Sequence, residues 1–297
     1  MAFANSSISD LIATGIDSRT GEIANNVLGN NPILASLKAK GRVKTCSGGV
    51  SIIEELSFAQ NPNGGAYDGY DPLPMVPADV ISAAQYDWKQ YAVPVVVSGK
   101  EEMQNSGKEA LIDLVESRIS VAEDTMANLL ETGLYGDGTG FGGKALTGLG
   151  AIVEATATAS QTSTVGGISR TTWPFWRSYY ATTSTATAAL LQAAMNTAYA
   201  SLTRGADAPD VLIAGASMWA EYQQSLQQIQ RFTDPNTANL GFATVKFMNA
   251  DFYLGGGIGG VVATTDILFL NTKYLRWRPH AKRNMVSLDP RNSFNSD

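Results

Sequence analysis

Gly215-Ala216-Ser217-Met218-Trp219 is the stretch of this chain closest to a nucleophile site. In a G-x-S-x-G elbow, small residues flank a serine on a sharp turn, so its hydroxyl stands free to attack an acyl carbon. Here Trp219 stands where the closing glycine belongs, and the alternative role for Ser217 is to cap the following helix. A serine nucleophile also needs a base, and His280 is the sole histidine, so any Ser-His-Asp arrangement must run through it. The same scarcity removes His-pair zinc sites. Cys46 is the sole cysteine, which removes thiolate clusters and any internal disulfide. Gly136–Lys144 is glycine-rich beside a lysine but lacks the G-x-x-x-x-G-K-[ST] spacing that cradles phosphates. Asp113, Glu116, Glu123 and Asp124 suit the solvated face of a helix better than an acid/base pair. No catalytic residue, metal site or cofactor is assigned from these patterns.

Chemistry of association is better represented. GGISRTTWPFWR (Gly166–Arg177) sets Trp173 and Trp176 beside Arg170 and Arg177. Tryptophan and arginine are enriched at interfaces, where they make cation–π and forked hydrogen-bond contacts. The other reading is a loop pinned to its own domain by its aromatics. Charge is segregated along the chain as well. Lys38, Lys40, Arg42 and Lys44 form one basic cluster, and Arg276, Arg278, Lys282 and Arg283 another. Between Cys46 and Trp88 there is no basic residue, while Glu54, Glu55, Asp68, Asp71, Asp79 and Asp87 are acidic. Tyr67 and Tyr70 stand among these acids.

The elements that must carry these residues follow from periodicity. Asn31-Pro32-Ile33-Leu34 opens a short helix through Leu37, with Gly41 past its end. Val50–Phe58 alternates as a strand, Asn61-Pro62-Asn63-Gly64-Gly65 is dense turn chemistry, and the chain returns through Val76–Ala84. The result is a long two-stranded arm with an irregular tip. A lone hairpin is marginal in water, so this one needs a partner surface. Tyr91, Val93, Val95 and Val97 alternate as a further strand, near an edge because of Pro94. Ser106 and Glu109 fit a capping box. Leu111, Val115, Ile119, Ala122, Met126 and Leu129 then mark one helical face, giving a helix over 107–132, about 26 residues and ~40 Å long. Gly133 is expected to end it. Residues 133–150 read as a flexible loop and 154–165 as surface. After 185 the texture becomes α/β: helices over Ala189–Leu202 and Ser217–Ile229, and strands at Asp210–Ala214, Phe242–Leu254, Val261–Leu270 and Tyr274–Trp277. Residues 1–30 read as a polar arm that gains structure on another surface.

Composition sets outer bounds. The chain has 297 residues, of which 44% are apolar, enough for a real core in one large or two ordinary domains. Only 16% are charged, and the net charge is −6. That balance argues against binding nucleic acid by phosphate neutralisation. No apolar run approaches the roughly 18 residues of a membrane span, and the first residues lack the basic start of a signal peptide.

Several blocks in order resemble one family, the major capsid proteins of tailed bacteriophages with the Hong Kong 97-type fold. They are GRVKTCSGG, GYDPL with the later PADV, DWKQYAVPVVVSG, NSGKEALIDLVESRISVAEDT, YGDGTG and GGISRTTWPFWR, all between about Asn31 and Arg177. The resemblance implies an α+β fold with an N-arm, an extended two-stranded loop, a peripheral domain with a long spine helix, and an α/β axial domain. In residue ranges these are an arm and short helix at 1–45, the extended loop at 46–88, the peripheral domain at 89–184, the axial domain at 185–260, and strands returning to the peripheral domain at 261–297. The implied function is a structural subunit that self-assembles as hexamers and pentamers into an icosahedral head around double-stranded DNA. Assembly would take place in the bacterial host cytoplasm, without membrane or sequence-specific DNA contacts. Portal, scaffold or decoration proteins are implied partners. The family's cleaved scaffolding region is not visible ahead of the arm, and the loop has no lysine for the covalent crosslink some members make. The alternatives are an encapsulin-like compartment of the same fold, a tail-tube protein, and an α/β hydrolase using His280. Under the capsid reading, the acidic loop is expected to dock on a neighbour's basic stretch, either Lys38–Lys44 or Arg276–Arg283.

Overall fold

Asn31 starts the first helix by chemistry rather than by hydrophobicity. Its side-chain oxygen accepts from the amides of Ile33 (3.0 Å) and Leu34 (3.3 Å), which have no partner inside the helix. Pro32 follows at a position where its missing N–H costs nothing. The helix α1 spans Pro32–Ala39, and Gly41, at φ 65°, accepts the left-handed turn that ends it. Its face of Ile33, Leu34 and Leu37 is buried. Asn31→Ala should lower stability by about 1 kcal/mol, with Asn31→Ser retaining most of it; urea unfolding of the three proteins reads the difference directly.

The computed structural model describes residues 31–72, 75–97, 108–183, 188–226, 244–255 and 262–286. The arm expected at 1–30 and the capping box at Ser106 lie outside them. Contacts divide the chain into two compact units, one of residues 1–47, 91–135 and 182–297, the other of residues 48–90 and 136–181.

The first unit is built on a four-stranded sheet with order β6-β7-β5-β8: β5 (Val211–Ala214), β6 (Thr244–Phe247), β7 (Ala250–Leu254) and β8 (Ile267–Leu270). β5 runs parallel to β7 and antiparallel to β8. Its four residues are buried on both faces, as an unbroken Val-Leu-Ile-Ala run demands. On one face Leu212, Ala214 and Phe252 meet Leu191 and Met195 of α5 (Ala188–Leu202) and Met218 and Tyr222 of α6 (Ala216–Leu226). The Tyr222 and Phe252 rings meet edge to face at 4.7 Å, a geometry worth about 1 kcal/mol beyond area burial.

Phe242–Leu254, expected as one strand, is instead a hairpin among its described residues. Met248 and Asn249 form its two-residue turn, with Met248 at φ 51°. Tyr274–Trp277 forms no ladder. Val43 and Cys46 make single parallel bridges to Trp277 and His280. Tyr91–Val97 likewise joins no ladder among the described residues; Pro94 has no amide to give, and the Arg118 guanidinium donates to the Val96 carbonyl.

The long helix α2 covers Lys108–Tyr135, 28 residues. It runs through Gly133 instead of stopping there. Leu130, Leu134 and Tyr135 are buried, so the last turn is held by packing that outweighs the roughly 1 kcal/mol helix penalty of glycine.

In the second unit β1 (Ile52–Ser57) pairs antiparallel with β2 (Ile81–Tyr86), setting Ile52 opposite Tyr86 and Ser57 opposite Ile81. One face of the hairpin, with Ile52, Glu54, Leu56, Ala84 and Tyr86, is at least half-buried, while Ile53, Glu55 and Ile81 face outward. Residues 133–150 are more ordered than a flexible loop. They contain a left-handed turn α3 (Gly140–Gly143) and a short helix α4 (Leu149–Ile152). A two-residue ribbon, β3 (Thr164–Val165) and β4 (Ile168–Ser169), turns at Gly166, whose carbonyl accepts from the Gln85 amide. At φ 59°, Gly166 leaves room for Ala84 and Tyr86, each only 3.0 Å from where a Cβ would stand.

Candidate functional site

Arg170 organises the second unit from within. Its side chain is 2% exposed. One terminal nitrogen donates to Glu154 (2.8 Å) and to the Ser163 hydroxyl (3.0 Å), Nε donates to the Trp176 carbonyl (3.1 Å), and the other terminal nitrogen donates to the Ile152 carbonyl. The rigid guanidinium fork suits this set of fixed acceptors, which a lysine could not reach together. Arg177 donates back to the Arg170 carbonyl at 2.9 Å, and the Trp176 indole N–H donates to the Val165 carbonyl at 3.0 Å. Arg170, Trp176 and Arg177 thus pin their own loop. Glu154 is held below the usual carboxylate range, first by the Ser163 hydroxyl and then, against the opposing effect of burial, by Arg170. Beside this set, buried Gln161 ties Thr156 to Ser178, donating to both their carbonyls and accepting from the Ser178 amide. The sequence does carry a signal for Glu154, because it is the sole carboxylate between Asp137 and Asp207.

With its arginines turned inward, the WPFW segment presents rings. Trp173 and Phe175 are 44% and 45% exposed and lie 5.5 and 5.6 Å from the Phe58 ring at the end of β1. Beyond Phe58 the hairpin leads to a tip that is closed by Asn63, which donates to the Val76 carbonyl (2.7 Å) and accepts from its amide (3.1 Å). At the tip Tyr67, Asp68, Tyr70 and Asp71 are all exposed. Val50, Ile53, Met75, Val76 and Ile81 add large apolar side chains to this open surface. Glu55 stands on the outer face of β1, while Glu54 is on the covered face, where it adds to the effect of burial in raising the Tyr86 phenol.

In the first unit the two basic clusters become neighbours. The Lys44 amide donates to the Trp277 carbonyl (2.9 Å), the Trp277 amide to the Arg42 carbonyl (3.2 Å), and the Cys46 amide to the Pro279 carbonyl (2.9 Å). Lys38, Lys44 and Arg276 are exposed on this pair of segments, whereas Arg42 and Arg278 are half-buried. Lys40 is bound by Asp210 at 2.9 Å and Lys273 by Asp207 at 2.6 Å. Burial disfavours the Asp210 charge, but Thr272 and Lys40 outweigh it, so the carboxyl lies below its ordinary value. Neither aspartate carries a local mark in the sequence, since each acts on residues distant in the chain.

Ser217 proves to be neither elbow nor cap. Its amide and that of Met218 donate to the Thr264 carbonyl (3.1 and 3.3 Å), so a crossing backbone segment caps α6. Gly215 permits that crossing, because a Cβ there would stand 2.0 Å from the Ala263 carbonyl oxygen. The glycine before the serine therefore has a packing cause. His280 accepts the Lys282 amide on Nδ1, a turn contact. Among the described residues no group of three or more His, Cys, Asp or Glu is placed to hold a metal, and no helix is long and apolar enough to cross a membrane.

No protein-family model and no curated protein matches the chain. Among solved structures it is similar to a chain of the Cyanophage A-1(L) capsid asymmetric unit, with a TM-score of 0.54 at 20% identity, over 81% of this chain and 71% of that one. The mixed helix-and-sheet architecture is thus a fold that a phage capsid also uses.

Proposed function

We propose that this chain is a phage major capsid protein of the Hong Kong 97 type, a structural subunit that self-assembles as hexamers and pentamers into an icosahedral head around double-stranded DNA. The observation that carries the reading is the fold likeness to a capsid chain over most of the sequence. The ordered motif blocks between Asn31 and Arg177 support it independently. In this reading residues 1–45 are the N-terminal arm and short helix, 46–88 the extended loop, 89–184 the peripheral domain around the long helix, 185–260 the axial domain, and 261–297 the C-terminal segment, whose strand β8 joins β5 of the axial sheet instead of returning to the peripheral domain. The open apolar residues of the hairpin fit this role, since large exposed apolar patches mark association surfaces. Shell assembly needs several moderate contacts per subunit, each of about 1,000 Å² or more, so that misplaced copies can leave again. Portal, scaffold or decoration proteins complete the particle, and it is built in the host cytoplasm.

Negative-stain electron microscopy of the purified chain, alone and co-expressed with its neighbouring phage genes, tests the reading. Closed polyhedral particles are the expected result. Rods, or a monomer in every condition, would refute it. Particles loaded with enzyme rather than DNA would assign the same fold to an encapsulin-like compartment.

A further inference from the structure

We propose that the ribbon formed by residues 42–46 and 276–280 is a sequence-independent binding site for the phosphate backbone of double-stranded DNA. The inference goes beyond assembly, because it adds a ligand and stands on the placement of charge within one copy. Val43 bridges Trp277 and Cys46 bridges His280, both in parallel. The two bridges share one register, and the ladder between them is interrupted at Pro279, which has no N–H to give. That register sets Arg42 across from Arg276 and Lys44 across from Arg278. Strand alternation puts these four cations on one face of the ribbon and Val43 with Trp277 on the other. Arg278 approaches the Cys46 sulfur at 3.6 Å, as two residues of the same face should.

Like charges directly opposite one another destabilise a strand pair. Here two such pairs lie side by side without a local counter-charge. Segments 38–46 and 273–286 hold nine of the chain's 21 lysines and arginines and no carboxylate. Asp210 and Asp207 engage Lys40 and Lys273, ahead of the two strands. Lys44, Lys282 and Arg283 are exposed, and none of their side chains forms an ion pair or hydrogen bond among the described residues. The Nε of Arg42 is buried with no acceptor there. A polyanion laid along this face would turn the opposed charges from a cost into a binding surface. The net charge of −6 conceals the ribbon, but the local field, not the sum, draws a ligand in. Two features favour duplex DNA among polyanions. Exposed neighbours of the cations, Thr45, Ser47, Ala281 and Asn284, are small or polar, which suits a protein–DNA surface better than the apolar core of a protein interface. Single strands bind by stacking bases on aromatic rings. Tyr274 is the large aromatic side chain most exposed beside the ribbon, and the Lys273 ammonium already sits 5.4 Å from its ring centre. Contacts to phosphate alone carry no base information, hence the lack of sequence preference.

Fluorescence anisotropy of a labelled duplex oligonucleotide, titrated with the full-length chain across about 50–200 mM salt, tests the site. Binding is expected to weaken with salt at a log–log slope of about −4, whatever the base sequence. Lys44→Gln with Arg283→Gln should cut the slope by about two and weaken binding roughly fiftyfold at about 0.1 M salt. Lys44→Arg with Arg283→Lys keeps both charges and should bind as wild type does. Lys144→Gln, which removes a charge from the second unit, should leave the slope unchanged. Thermal unfolding of each variant separates lost binding from lost folding; if the double variant unfolds, Lys44→Gln alone, with a slope change of about one, decides. No binding at the lowest salt overturns the proposal, as does an equal loss from Lys144→Gln. Tighter binding of a single-stranded oligonucleotide of the same length overturns the choice of duplex. If duplex is not bound and the Lys44→Gln/Arg283→Gln chain no longer forms particles, the ribbon serves an acidic protein surface instead and the proposal falls. Particles are scored by microscopy and DNA binding by anisotropy, so the shell reading and this one can each fail alone.

Discussion

Gly215→Ala should unfold the sheet half of the molecule or bring it close to unfolding. The added Cβ would lie 2.0 Å from the Ala263 carbonyl oxygen, 2.6 Å from the Thr264 Cα and 2.7 Å from the Ala263 carbonyl carbon. All three are backbone atoms, so no side chain can rotate aside. The segment would have to withdraw, and with it go the bonds from the Ser217 and Met218 amides to Thr264 and from the Gly215 amide to Asp266. Overpacking alone costs about 1–3 kcal/mol and stranded helix-end amides add to it, so a loss of about 3 kcal/mol or more is expected. That is a large share of the roughly 5–15 kcal/mol that holds a domain. Gly64→Ala is the control, because its Cβ would meet one atom, at the ordinary contact distance of 3.4 Å. Thermal unfolding of both variants decides the matter; equal melting temperatures would contradict the packing argument.

The second large effect is expected at Arg170. Removing one member of a buried ion pair leaves the other without compensation, at a cost of about 3–5 kcal/mol. Glu154 keeps 22% side-chain exposure, so the lower end applies to Arg170→Ala. Arg170→Lys should recover little, because an ammonium cannot serve Glu154, Ser163, Ile152 and Trp176 at once. Acid adds an independent signature. Glu154 titrates in the folded protein below its usual value of 4.5, so its contribution is complete above that value and fades as pH falls through the depressed one. Wild type should therefore lose stability on acidification below about pH 4.5, and Arg170→Ala should lose less over the same range. Parallel acid titrations of the two proteins would contradict the coupling.

Local chemistry explains which parts of this architecture are visible in the sequence. Asn31-Pro32 specifies a helix start through its own side chain, and the side-chain oxygen of Asn31 does accept the first free amides. The Val211–Ala214 run is apolar at every position, which suits a strand covered on both faces. The pairing of two strands into a hairpin follows from alternation on β1 with turn residues before the return, whereas its register does not, because a long connection separates Ser57 from Ile81. What stayed hidden depends on partners distant in the chain. Gly133 reads as a stop until Leu134 and Tyr135 are seen to be buried. Met248-Asn249 is a poor turn by composition, so the break in Phe242–Leu254 had no local mark. Ser217 looked like a cap because the true acceptor, the Thr264 carbonyl, lies 47 residues on. For the interface candidates, sequence separated charge from charge but could not show that Arg170 faces inward while Trp173 faces out.

The bridging of residues 43–46 to 277–280 also puts a clock on biosynthesis. Cys46 meets Arg278 across 232 residues of chain. At about 5–20 residues per second, the early segment waits roughly 10–50 s on the ribosome before its partner exists. The hairpin of β1 and β2 is made soon after that segment, and its strands are close in sequence, so it can pair long before residues 277–280 exist. A nascent chain therefore carries its complete hairpin while Val43 and Cys46 still lack the partners that their bridges need.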